Sequence, residues 1–173
     1  MRLVELQDAL NRYGEASIQN YRTVHPIGEE IVAGFAAYLG EGGATLGVPP
    51  TGDWRHDGGD YSDAKFSTYW NGMLKVDTIS MGLAICIPHS KDDGEMWTRV
   101  VLNFLIEGGT LTVQVGDGPI IKNIPVQYRP ADLEPVYEAI FGYVKGIFAD
   151  PVNYAEAQRT GKIGFLANCT RRA

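Results

Sequence analysis

Three consecutive segments between Thr78 and Val115 alternate large apolar residues with other residues, which is typical of β-strands. Because successive side chains of a strand point to opposite faces, each segment is predicted to bury one face. Asp93-Gly94, Gly108-Gly109 and Asp117-Gly118 fall at the ends of the segments, and such pairs favour tight hairpin turns. The pattern therefore predicts an antiparallel meander. Its repeating apolar residues are Ile79, Met81, Leu83, Ile85, Ile87, Met96, Val100, Leu102, Phe104, Ile106, Leu111, Val113 and Val115.

Helical patterns lie on both sides of this region. We expect helices at about residues 2–22, 26–39 and 132–148, and a short fourth helix that begins at Asp150-Pro151. His25-Pro26 should break or kink the chain between the first two helices, since proline lacks the amide that a helix interior needs. The first helix carries an apolar stripe at spacings of three and four residues. Its members are Leu3, Leu6, Leu10, Tyr13, Ser17 and Tyr21.

The order of elements predicts an α+β fold in a single domain that spans residues 1–173. Its sheet is an antiparallel β-meander of four to five strands, with two N-terminal and two C-terminal helices packed on it. The strands are expected at about 66–76, 78–88, 96–107, 110–116 and 119–124, with a further short one near Ala44–Val48.

One face of the strand at 78–87 carries only small residues, namely Ser80, Gly82, Ala84 and Cys86. Small side chains permit the close approach of another element. We expect a closely packed helix there, and the alternative is the floor of a pocket.

Charge and composition exclude several classes of partner. The formal net charge is −6, and no basic patch is present that could bind the phosphates of nucleic acid or an anionic membrane. No apolar run approaches the roughly 20 residues that a membrane span needs, and the first residues turn polar too soon for a secretory signal. We therefore expect a cytoplasmic protein in which Cys86 and Cys169 are reduced.

The long segment 40–63 is rich in Gly, Pro and Asp, and loops of this length are often functional. This loop and the strand that follows it concentrate polar and aromatic side chains, so any ligand site is expected there. The candidate ligand-binding residues are Asp53, Trp54, His56, Asp57, Tyr61 and Trp70.

Three interpretations of this loop remain open. His56 could bind a divalent metal with nearby carboxylates and with His89, and such a metal is the one cofactor that the sequence suggests. Carboxylates beside aromatic rings could instead bind or cleave a sugar. Alternatively, the loop is a solvated acidic segment whose aromatic rings fold back onto the core. A true site should bring Asp53, His56 and Asp57 together.

Two classes of function follow. P-loop, His-Glu-x-x-His, Gly-x-Ser-x-Gly and Cys-x-x-Cys motifs are absent from the sequence, which favours a non-enzymatic binding or protein-interaction protein. The strip of small residues Ala139, Gly142 and Gly146 on the helix at 132–148 suggests close packing by the N-terminal helix or by a second subunit. We therefore expect a homodimer with a possible small-molecule ligand. The alternative is a hydrolase-like enzyme centred on residues 53–63.

Overall fold

The computed structural model describes residues 2–40, 43–57, 59, 61–67, 76–88 and 94–150, together with the backbone of residues 163–166. The helices are α1 (Arg2–Leu39) and α2 (Glu134–Ala149). The strands are β1 (Ala44–Val48), β2 (Ile79–Pro88), β3 (Glu95–Glu107), β4 (Thr110–Val115), β5 (Ile120–Pro125) and β6 (Ile163–Leu166). Short 3-10 turns occupy Ser62–Lys65 and Pro130–Leu133.

The strands form one antiparallel sheet in the order β1-β2-β3-β4-β5. Strand β6 pairs with the first residues of β3, from Glu95 to Thr98, whereas β4 pairs with β3 from Leu102 onward. The predicted antiparallel sheet and α+β class are confirmed. The four main strands begin within one residue of their predicted starts because the alternation and the turn pairs are local signals.

The predicted number of helices is wrong. The described chain contains two α-helices where the sequence predicts four. One part of this difference arises because residues 2–22 and 26–39 form one continuous helix with Pro26 inside it. Proline removes one helical hydrogen bond, but Val24 and Ile27 on either side of it are both buried in the same core. Packing on both sides of Pro26 thus holds the helix together. The predicted fourth helix lies largely outside the described residues.

The core lies between the helices and the aliphatic face of the sheet. Met81, Leu83 and Leu102 are fully buried there beneath α1 and α2. The first strand predicted, at 66–76, is described only near its start, where Phe66 forms an isolated bridge to Met81 and residues 68–75 lie outside the described chain. Both helices therefore pack on one face, and the small-residue face of β2 is covered differently.

Candidate functional site

The small-residue face of β2 is covered by the chain that follows β1 and not by a helix. A Cβ atom added at Gly82 would lie 2.6 Å from the carbonyl oxygen of Val48 and 2.7 Å from that of Pro49. Only a glycine permits such close approach. The expected close packing is present, but it comes from the start of the loop that carries the candidate site residues.

Arg99 fastens the same loop to the sheet. Its guanidinium donates hydrogen bonds to the carbonyl oxygens of Pro49, at 3.1 Å, and Gly52, at 2.8 Å. Burial lowers the pKa of Arg99, while the nearby charge of Asp53 acts in the opposite direction. One side chain of β3 thus fixes the backbone immediately before Trp54 and His56.

An aromatic cluster forms where this loop meets β3, and we define it as Trp54, His56 and Trp97. The ring centroids of Trp54 and Trp97 are 6.4 Å apart in an edge-to-face arrangement, and those of His56 and Trp97 are 5.3 Å apart. Each ring is half-buried. The cluster therefore offers partly exposed aromatic surface to solvent on the side of the sheet opposite the helices.

Glu95 orients the strand side of the aromatic cluster. Its two carboxylate oxygens accept hydrogen bonds from the indole nitrogen of Trp97, at 3.0 Å, and from the thiol of Cys86, at 3.4 Å. Cys86 is buried. Its thiol is therefore part of the support for Trp97, and it is poorly placed to act as a nucleophile.

Each predicted carboxylate of the loop lies near an arginine, and His56 also acts electrostatically on Asp57. Asp57 accepts two hydrogen bonds from the guanidinium of Arg55, which hold the pKa of Asp57 below its ordinary value. Asp53 lies near Arg99. The hydroxyl of Tyr61 accepts a hydrogen bond from the backbone amide of Arg55 and closes the loop locally.

A metal site finds little support in this arrangement. Among the described residues, no group of three or more His, Cys, Asp or Glu side chains is placed to hold a metal ion. Trp70 and His89, which the sequence also suggests as site residues, lie outside the described chain. The described part of the loop therefore presents aromatic surface with separate carboxylates around it.

A second polar cluster was missed by the sequence reasoning. It joins the middle of α1 to the 3-10 turn Ser62–Lys65. His25 Nε2 lies 3.0 Å from Asp63 Oδ1, and Lys65 Nζ lies 2.6 Å from Glu29 Oε1. Lys65 is almost fully buried, with 6% of its side chain exposed. Burial and the hydrogen bond with Asp63 raise the pKa of Tyr21.

This second cluster has a sequence signal on the helix. Tyr21, His25 and Glu29 follow one another at four-residue spacing, which places them on one face of α1. The rings of Tyr21 and His25 also pack against Phe66, with centroid distances of 5.9 and 5.0 Å. The cluster fastens the segment 61–66 to the helix, and the ion pair with Glu29 compensates the charge of the buried Lys65.

The third unusual feature is an exposed apolar surface on the first half of α1. Residues 2–16 are exposed, apart from the half-buried Gly14, until Ser17 enters the core. We define the N-terminal stripe as Leu3, Leu6, Leu10 and Tyr13. These side chains are 67%, 68%, 69% and 50% exposed. Large apolar groups that recur along one helix face without cover mark an interaction surface.

The small residues of α2 also face open space. No described atom lies within 4 Å of a Cβ added at Gly142 or Gly146. The described part of α1 therefore does not pack closely at these two glycines, and close packing by a second subunit remains a proposal.

Neither described helix has an apolar stretch long enough to cross a membrane. Comparison of the chain with protein-family models, with curated proteins and with solved structures finds no significant match.

Proposed function

We propose that this chain is a non-enzymatic, cytoplasmic protein-interaction protein whose binding surface is the N-terminal stripe of α1. The observation that carries the proposal is the exposure of Leu3, Leu6 and Leu10, each about two-thirds open to solvent on one side of a helix. Helices with such a stripe bind by laying it into a groove or against another helix.

The stripe has enough apolar surface to contribute substantially to binding. Full burial of a leucine side chain contributes about 1.5–3 kcal/mol, so each two-thirds-exposed leucine has roughly 1–2 kcal/mol left to gain. The exposed part of α1 is also weak as a free helix. It holds about 15 residues, a marginal length in water, and Gly14 in its interior costs about 1 kcal/mol relative to alanine. A partner would therefore stabilise the helix as it buries the stripe.

The sheet edge formed by β5 is a poorer surface for self-association than this helix. Strand β5 carries a register shift opposite Leu111 and Val113, and Asn123 adopts a positive φ of 62°. Bulges and exposed charges such as Lys122 discourage the addition of another strand. This comparison favours the helix as the site of the expected homodimer contact.

The proposal can be tested by affinity capture from a lysate of the source cell with matched variants. Leu6→Glu/Leu10→Glu places two charges on the stripe, whereas Val4→Glu/Ile18→Glu alters exposed apolar residues on other sides of the same helix. A protein, including a second copy of this chain, should be identified with the wild type and the control but not with the stripe variant. Retention of every bound protein by the stripe variant would contradict the proposal.

The aromatic cluster supports a second candidate function, a sugar-binding surface. Aromatic rings stack on the apolar faces of sugars, and Asp53, Asp57 and Glu95 lie on the same loop and strand as the cluster. A panel of oligosaccharides should then perturb the indole resonances of Trp54 and Trp97, and His56→Ala should abolish the effect without changing the melting temperature. Release of shorter sugars during the same incubation would favour the hydrolase-like alternative.

A further inference from the structure

We infer that the occupant of the N-terminal stripe is a second copy of this chain, held in an antiparallel helix pair. This inference rests on the proposed function and adds the partner and its orientation. Leu3, Leu6, Leu10 and Tyr13 alternate at spacings of three and four, which is the seam spacing of two-stranded helix pairs.

The charge pattern of the helix suits a second copy. Between positions 7 and 16, four residues lie beside the stripe on the helix surface, and none of them is charged. They are Gln7, Ala9, Gly14 and Ala16. The charged residues Glu5, Asp8, Arg12 and Glu15 point to the opposite side of the helix at about 100° per residue. Two copies with a net charge of −6 each can therefore bring their stripes together without placing like charges in contact.

The orientation follows from the continuity of the apolar face along α1. Ser17, Val24 and Ile31 are buried against the body, and they lie on the same side of the helix as the N-terminal stripe, within about 30°. In a parallel pair, the partner helix would continue past Ser17 into the space that the sheet of the first copy occupies. A parallel pair is therefore blocked by the fold itself.

An antiparallel pair avoids this collision. With Leu6 of one copy opposite Leu10 of the other, Leu3 lies level with Tyr13 and the paired span ends before Ser17. The span that the pair covers is thus the span that the single chain leaves exposed. The two bodies lie at opposite ends of the helix pair, which also separates their net negative charges.

The surface that the two stripes could bury is small for a dimer interface. The side chains and their small flanking neighbours would bury roughly 900 Å² in total over about 22 Å of helix. Stable dimers of standard size bury about 1,200–2,000 Å². Because the area is smaller than this, we expect a weak and reversible dimer.

Sedimentation equilibrium of the purified full chain from about 1 µM to 1 mM tests the partner. The wild type and Val4→Glu should shift from monomer to dimer, and Leu6→Glu should weaken the dimer by at least tenfold. A wild-type monomer at every concentration would overturn the inference. If the capture experiment nevertheless identified another protein that depends on Leu6 and Leu10, the proposed function would stand without it.

Disulfide trapping tests the orientation, in a chain that carries Cys86→Ala and Cys169→Ala. In the antiparallel pair, a Leu3→Cys copy should cross-link to a Tyr13→Cys copy. Neither variant should cross-link to itself, because its two cysteines would lie about 15 Å apart along the helix axis, beyond disulfide reach. Self-cross-linking of Leu3→Cys would overturn the antiparallel arrangement. Circular dichroism should show an unchanged fold, since both residues are exposed.

Discussion

Replacing Gly82 by alanine should destabilise the fold, because the loop that carries the aromatic cluster lies against this position. The added methyl would meet the carbonyl oxygens of Val48 and Pro49 at 2.6 and 2.7 Å, whereas the closest ordinary carbon–oxygen contacts are about 3.3 Å. Backbone groups cannot change rotamer, so the loop must shift. Overpacking costs about 1–3 kcal/mol, and the lower entropy of the unfolded alanine chain offsets about 0.4–1 kcal/mol. We expect a net loss of about 1–2 kcal/mol.

Gly142→Ala provides the matched control, since the same methyl would have no described atom within 4 Å. At this helical position alanine should stabilise the chain by about 0.5–1 kcal/mol. In urea unfolding, the midpoint concentration should therefore fall for Gly82→Ala and rise for Gly142→Ala, while the dependence of the unfolding free energy on urea concentration stays unchanged. A Gly82→Ala protein as stable as the wild type would refute the close packing of the loop on β2, and with it the placement of the cluster.

Three further predictions concern charged and polar contacts. Glu29→Gln removes one carboxylate from the buried Lys65 and should cost more in urea unfolding than Asp63→Asn, which lies in an exposed pair and should cost less than about 1 kcal/mol; equal losses would contradict the assigned burial. Arg99→Met should accelerate amide hydrogen exchange in residues 51–57, and unchanged exchange would show that Arg99 does not fasten the loop. Burial and a hydrogen bond to an aspartate raise the pKa of Tyr143 to about 12. The folded state therefore holds the phenol proton more tightly than the unfolded state, whose tyrosine has a pKa of about 10. The stability that this provides is complete below about pH 10 and is lost as the pH rises to about 12. Tyr143→Phe should reduce the slope of stability against pH in this window, and an identical slope would contradict the assignment.

The sheet could be predicted from the sequence because its signals are local. Alternation within β2, β3 and β4 and the glycine-containing turns between them each depend on a few neighbouring residues. The helix break expected at Pro26 does not occur, because tertiary packing outweighs the local tendency of proline to end a helix. Burial of Val24 and Ile27 on either side of the proline outweighs one missing hydrogen bond.

The candidate site was only partly accessible to the same reasoning. The density of aromatic residues pointed to Trp54 and His56, but their partners Glu95, Trp97 and Arg99 lie about 40 residues away in the sequence. Only the pairing of β2 with β3 and the path of the chain over Gly82 bring them together. The local density of carboxylates did not show which partner each would take, and Asp57 accepts its hydrogen bonds from Arg55.

The N-terminal stripe shows a different limit of sequence reasoning. An apolar stripe has the same pattern whether it packs on its own sheet or is left exposed, and in α1 the stripe is exposed in the first half of the helix and buried in the second. The two halves join within one continuous helix at Ser17, so the buried half fixes the direction of the exposed half. Because the exposed half extends from an anchored helix, it avoids the cost of helix nucleation on binding. The unbroken helix from Arg2 into the segment that is buried from Ser17 onward therefore fixes the direction in which the stripe extends from the body.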